Sequence, residues 1–273
     1  MYLCRKNQKM NILFTNPVTI NGIVYFASDF HLGAPDAMVS KEREQRIIKW
    51  LDQIERDATH LFLLGDIFDF WFEYKYVTPK GYFNFLAKLY QLRQKGIEIF
   101  YFTGNHDMWV KGYLTEELDI RIFRTQQAFL INGKRCLVGH GDGLGHKEYG
   151  YKFIKRLFAF RPHIWLYGML HPYFAFGLAH FLSRKSRAMS PEREQRYLCD
   201  EKETLIQYVL EVSQRENMDY FIYGHRHLPI MKELPNGAIY YNTGDWLVHD
   251  SFLRMDNEGI KLHKKATIQC SQN

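Results

Sequence analysis

The chain has 273 residues, 46% hydrophobic and 16% aromatic, which suits one large α/β domain or one domain with a sizeable insertion. Lys and Arg (36) outnumber Asp and Glu (30), giving +6 and a pI near 9.0; this favours anionic partners without choosing among phosphates, nucleic acid and an acidic membrane face. The four scattered cysteines, Cys4, Cys136, Cys199 and Cys270, form no CxxC pair, which argues against a zinc knuckle or a disulfide framework and fits a reducing cytoplasm.

The N-terminal stretch MYLCRKNQKMNILF is basic but has no long apolar run or small-residue cleavage site, so no signal peptide is expected. From residue 23 a pattern begins. Short apolar runs rich in β-branched and aromatic residues end abruptly in small or metal-capable residues: IVYFASDFH (23–31), HLFLLGDIFD (60–69), IEIFYFTGNHD (97–107), RCLVGHGD (135–142), DYFIYGHRH (219–227) and AIYYNTGDW (238–246). Such runs read as strands buried on both faces. Helical spacing separates several of them. Residues 40–58 carry Ile47, Ile48, Leu51 and Ile54 behind Ser40 as an expected cap; residues 81–96 close on Gly96; residues 193–217 make a third candidate. Alternating strands and helices predict an α/β layered sheet, with the ligand site beyond the carboxyl ends of the strands.

Residues 145–192 break the rhythm. They are long, aromatic and basic, and read as a helical cap inserted in a single domain spanning 1–273. Their most apolar stretch, 157–182, holds Arg161, Pro162, His163, His171, Pro172 and His180, which argues against a membrane-spanning helix.

The polar turns carry the chemistry. Asp29-x-His31, Asp66-x-x-Asp69, Asn105-His106-Asp107, His140-Gly-Asp142 and His225-x-His227 each follow an apolar run. Glycines beside them allow tight turns and positive φ. A mixed set of carboxylate, amide and imidazole suits Mn²⁺, Fe or Zn²⁺ better than Mg²⁺ or Ca²⁺. The ligands are too many for one ion and natural for two, which together would clamp the attacking and leaving oxygens of a phosphoryl displacement.

This ordered set, D-x-H, G-D-x-x-D, G-N-H-D, H-G-D and G-H-x-H, over roughly residues 23–246, resembles the signature of the calcineurin-like metallophosphoesterases. The resemblance implies that family's fold: layered mixed β-sheets flanked by helices, with a helical insertion cap. It implies two divalent ions, Mn²⁺ first and Fe or Zn²⁺ as alternatives. Asp29, His31 and His227 would hold one ion, Asn105, His140 and His225 the other, and Asp66 would bridge them. Asp69 and Asp142 would either orient a ligating imidazole or stabilise their turns.

Within that family the chain is similar to the hydrolases of UDP-2,3-diacylglucosamine in lipid A synthesis. The resemblance rests on G-D-x-F-D-x-W (65–71), H-G-D with a downstream Gly-Tyr, an apolar cap ending in a Ser/Arg/Lys cluster, and the terminal G-D-W. It implies cleavage of a lipid-linked sugar nucleotide, no nucleic-acid partner, and a cytoplasmic location with peripheral contact at the inner membrane left open, as is the oligomeric state. The expected substrate contacts are Trp71, Asn105, His106, Glu148, Tyr151, Ser183, Arg184, Lys185 and Arg187, with cap Arg and Lys residues neutralising pyrophosphate. Two residues depart from the better-known members: His106 stands where Arg is usual, and Arg226 where Thr is usual. His106 is the expected catalytic residue, either donating a proton to the leaving oxygen or stabilising phosphoryl charge. A metallophosphoesterase acting on a soluble nucleotide or other phosphoester is the alternative, with a non-catalytic scaffold behind it.

Overall fold

The computed structural model describes residues 17–145, 149–188, 197, 199–200 and 203–265. Within them, twelve strands form two six-stranded mixed sheets. In the first, β2 (Val24–Ala27), β3 (His60–Leu63), β4 (Glu98–Phe102) and β5 (Arg121–Phe123) run parallel, and β11 (Phe252–Asp256) and β12 (Gly259–His263) extend the β2 side antiparallel. The second runs β1 (Val18–Ile20), β6 (Gln127–Ile131), β7 (Lys134–Val138), β8 (Tyr220–Tyr223), β10 (Ile239–Thr243), β9 (Pro229–Glu233).

The continuous apolar runs are explained by burial of both faces. Because side chains alternate, Phe26, Phe62, Phe100 and Phe102 turn inward to meet Phe129, Val138, Ile222 and Tyr241 of the second sheet. Tyr25, Leu61, Leu63, Ile99 and Tyr101 turn outward beneath α1 (Ala37–Ile54), α2 (Phe83–Gln94) and α3 (Tyr113–Leu118). On the second sheet, Leu137, Phe221 and Tyr223 face α7 (Thr204–Arg215) through Leu205, Ile206 and Val209. The layers are therefore helix, sheet, sheet, helix.

Helix α1 starts earlier than its sequence suggested. Asp36 is the cap, its carboxylate accepting from the backbone N–H of Met38 (2.9 Å) and Val39 (3.0 Å). Ser40 lies inside the helix and accepts instead from Gly33 N (2.7 Å). Helix α2 does end as expected, with Gly96 at φ 85° just beyond it. Helix α7 begins only at Thr204, while residues 193–196 of the expected helix lie outside the described residues.

The segment between β7 and α7 carries α4 (Tyr149–Ala159), α5 (Arg161–Gly168) and α6 (Pro172–Ala188). Pro162 and Pro172 sit at helix starts, where a missing N–H costs nothing. Among the described residues no helix is long and apolar enough to cross a membrane.

Candidate metal centre and cavity

Parallel strands bring their carboxyl ends to one edge, and both sheets deliver turns there. Asp29 N donates to Gly65 O (3.0 Å), His31 N to Asp66 O (2.9 Å) and Gly224 N to His140 O (2.9 Å), lacing the turns after β2, β3, β7 and β8. Five of the seven expected ligands sit at positive φ: Asp29 (55°), His31 (44°), Asp66 (52°), His225 (67°) and His227 (57°). Non-glycine residues rarely adopt this region, and each costs about 1 kcal/mol or more unless the surroundings enforce it. Here the strain re-aims side chains past the strand ends. Gly104 admits the closest approach: a Cβ there would lie 2.6 Å from the Asp66 backbone nitrogen.

The side chains fall into groups that fit metal ions. Asp29, His31 and His227 offer ligand atoms within 4.8 Å of one another, as do Asp66, His140 and His225, and a further set joins His31, Asp69 and His106. His227 Nε2 is 3.3 Å from Asp29 Oδ1, and His31 Nε2 is 3.8 Å from both Asp29 Oδ1 and Asp66 Oδ2. Among the described residues, Asp29 Oδ1 and both nitrogens of His31 are buried without a hydrogen-bond partner. Buried polar groups left so are costly, and a cation would satisfy Asp29 Oδ1 and His31 Nε2, leaving Nδ1 turned toward Asp69. His140 Nδ1 lies 2.7 Å from the Leu64 carbonyl, which can only accept, so the proton sits on Nδ1. Its Nε2 then presents a lone pair to Asp66 Oδ2 (3.4 Å) and Asn105 Oδ1 (3.4 Å), three acceptors facing one another. That donor set fits a divalent ion.

Electrostatics agree. Burial opposes charge on His140, but Asp66, with Asp29 and Asp142, outweighs it and pushes the imidazole up to about 10, so a proton stands in for the cation. Burial and the neighbouring His140 charge push His225 down to about 4, and burial lowers His31. Burial also opposes the Asp66 carboxylate, yet His140, His106 and His31 hold it well below the usual range.

Supporting residues surround these. Asp107 accepts from Ile67 N (2.8 Å), Gly104 N (2.7 Å) and Tyr101, tying the β3 turn to the β4 turn. Asp69 Oδ1 is 3.6 Å from His31 Nδ1 and 3.5 Å from His106 Nδ1. Three supports were missed in the sequence. Asp245 Oδ2 is 3.5 Å from His227 Nδ1 and its Oδ1 accepts from Val248 N, His249 N and His249 Nδ1. Ser28 donates to Asp29 Oδ2, and Arg43 donates to Phe30 O, His31 O and Ala34 O, bracing the first turn from α1. Asp245 sits in the noted G-D-W; Arg43 carried no local signal, because it acts across the layer. The unusual Arg226 pairs with Glu203 at 2.7 Å, away from the ligand edge.

The profile of the family described as calcineurin-like phosphoesterase matches residues 23–229. The chain belongs to this family. A UDP-2,3-diacylglucosamine hydrolase from Porphyromonas gingivalis is 34% identical over 90% of this chain and 98% of its own. One from Shewanella sp. (strain W3-18-1) bearing the same name is 26% identical over 87% of this chain and 94% of its own.

Against this phosphoesterase edge the inserted helices enclose a cavity of about 290 Å³, almost wholly apolar apart from Asp69, Asn105, His106, Tyr151, Lys155 and Ser183. Phe70, Trp109, Phe158, Tyr167, Leu178 and Leu182 make most of its wall. Two polar anchors hold the helices over it. Ser183 of α6 donates to Asp69 (3.0 Å), and Tyr151 and Lys155 of α4 reach Asp142 at 2.6 and 2.5 Å. So Asn105, His106, Tyr151 and Ser183 do face the cavity. Trp71 does not: it is fully enclosed, packs on Phe68, Tyr82 and Tyr113, and donates from Nε1 to Glu73 (2.9 Å). It shapes the core beneath the loop, and the direct-contact expectation is corrected. Its neighbour Phe70 faces the cavity instead, as does Trp109, three residues beyond His106. Glu148 lies outside the described residues, as do the side chains of Arg184, Lys185 and Arg187.

Proposed function

We propose that this chain hydrolyses the pyrophosphate bond of UDP-2,3-diacylglucosamine, giving UMP and 2,3-diacylglucosamine 1-phosphate. The observation that carries the reading is the junction of two unlike environments: Asn105 and His106 border both the carboxylate–imidazole edge and an apolar cavity. A substrate with acyl chains, a sugar and a pyrophosphate needs both. The relatives named for this activity support the same choice.

In this reading Asp29, His31 and His227 would hold one divalent ion and Asn105, His140 and His225 the other, with Asp66 shared by both. Two such ions, Mn²⁺ foremost, would supply charge neutralisation and alignment for the displacement. The protein's own residues do the rest. His106 Nδ1 donates to the Asp69 carbonyl (3.0 Å), which fixes the ring and leaves Nε2 to face the leaving oxygen, to which the doubly protonated imidazolium would give its Nε2 proton. Residues 145–192 act as a cap on a single domain, its cavity wall taking up acyl chain and excluding water. Exposed Phe153, Trp165, Tyr173 and Phe174 on the outer cap support peripheral contact with the cytoplasmic face of the inner membrane.

Purified protein loaded with Mn²⁺ is expected to release UMP at least about a hundredfold faster than it cleaves bis-p-nitrophenyl phosphate, because remote acyl contacts contribute only to the lipid. Equal efficiencies would overturn the lipid substrate, and no turnover of either would overturn the hydrolase itself.

A further inference from the structure

Beyond the active-site cavity lies a second, larger space that the hydrolysis does not use. It measures about 860 Å³ and opens on the other side of Trp109, between the 72–75 and 108–111 loops and the inserted helices α4 and α5. Met108, Trp109 and Lys155 line both spaces, Lys155 being paired with Asp142. The Trp109 ring is clamped by Phe70, Phe72, Phe158 and Tyr167, with centroids 4.8–5.9 Å away, and Nε1 donates to Phe158 O (2.9 Å). It is thus a fixed partition between two sites.

The larger space is two-sided. One wall carries Lys75, Lys111 and Arg124, and the outer wall adds Arg161; the other presents Ile164, Trp165 and Met169. Among the described residues none of these four cations pairs with a carboxylate. The lone acidic residue of the lining, Glu73, is already committed: its oxygens accept from Trp71 Nε1, Lys111 N, Gly112 N and Tyr113 N. Two of the cations are held in place. Arg124 donates to Met108 O (3.2 Å) and Val110 O (2.7 Å), leaving further N–H donors, and the Lys111 ammonium rests 4.8 Å over the Phe72 ring.

We propose that this cleft binds one anionic phospholipid, its phosphate among Lys75, Lys111 and Arg124 and its first acyl carbons along Ile164, Trp165 and Met169. Charge and shape point there together. A free phosphate would leave the apolar wall in water, and a polynucleotide, which needs a row of open rings for successive bases, would find only the Trp165 indole well exposed in the lining, Phe72 being buried and Trp109 clamped. The mouth lies beside exposed Trp165 (68%) and Met169 (64%), so an acyl chain can enter from the apolar outer cap. The inference goes beyond the hydrolase reading and does not depend on it.

Calorimetric titration of the metal-loaded protein with dihexanoyl phosphatidylglycerol, below its aggregation concentration, tests this. The lipid is expected to bind at least about tenfold tighter than dihexanoyl phosphatidylcholine or inorganic phosphate, as charge-assisted and apolar contacts are both required. Lys75→Glu with Lys111→Gln should weaken it by about tenfold or more, and Trp165→Ala by several-fold. Both sets change exposed residues, and a retained melting temperature verifies folding. His140→Ala should leave binding intact, placing the lipid outside the metal edge. Equal binding of the two phospholipids, or undiminished binding by the double variant, would overturn the proposal. So would phosphate binding as tightly as the lipid, or loss of binding in His140→Ala.

Discussion

Replacing Trp71 separates a core role from a substrate role. The indole is fully enclosed, its ring centroid 4.4 Å from that of Phe68. Trp71→Ala should cost about 3–5 kcal/mol for lost packing and the cavity left behind. Glu73 also loses one of the donors on Oε1, keeping Lys111 N at 2.8 Å, for about 1 kcal/mol more. With roughly 2–4 °C per kcal/mol for a chain of this size, the melting temperature should fall by about 8–24 °C. Trp71→Phe retains most of the ring and should cost only about 1–2 kcal/mol. Thermal melts followed by circular dichroism give both values, and kcat and KM are measured on UDP-2,3-diacylglucosamine well below each melt. For Trp71→Phe both constants should stay within about twofold of wild type, because a change that leaves transition-state contacts alone leaves kcat/KM alone. A KM raised tenfold with an unshifted melt would refute the reasoning and return Trp71 to the substrate.

Other expectations follow from the same geometry. Ala179→Phe should fill part of the 290 Å³ cavity and lower kcat/KM for the long-chain substrate by about tenfold or more, while cleavage of a water-soluble diester is spared; equal losses on both would show that the cavity does not hold acyl chain. In the metal-free protein, His140 has its pKa raised to about 10, so the stability it contributes is fully present below the unfolded value near 6.5 and is lost as pH rises toward 10. Melts of EDTA-treated protein should therefore fall across that window, and Mn²⁺ should remove the fall, since ligands bind metal better when deprotonated; a flat metal-free profile would contradict this. His106→Arg should lower kcat by about 10²-fold or more at unchanged KM, because the guanidinium does not give up a proton; retained turnover would show that charge alone is needed there.

The strands that build the ligand edge were readable because double burial writes itself as an unbroken apolar run, and a glycine beside a metal-capable residue marks where the run stops. The short or edge strands β1, β5, β9, β11 and β12 gave no such run, since one face or one edge is open: β9 and β12 alternate half-buried with exposed residues. The seven expected ligands could be named as candidates because their motifs are local, and the fold brings them to one edge. What escaped was support acting across layers. Arg43 braces the Phe30 and His31 carbonyls from a helix, and Trp109 owes its place to four rings drawn from both the core and the inserted helices. Trp71 was misplaced for the same reason: a loop beside a ligand turn does not tell which of its aromatics turn down into the core.

Burial of the central strands on both faces has a consequence for how such a protein can change over generations. The Phe62 ring meets Phe26, Phe100, Phe102 and Phe129 at once, so a substitution there disturbs several neighbours and the second sheet together. The sandwich is thus a frozen inheritance. The inserted helices carry their larger apolar residues largely in the open and touch the frozen part mainly through Asp69, Asp142 and the rings around Trp109. Variation in acyl length or headgroup is accordingly cheapest there, and a descendant with a new lipid preference would be recognised by a rewritten cap over an untouched ligand edge.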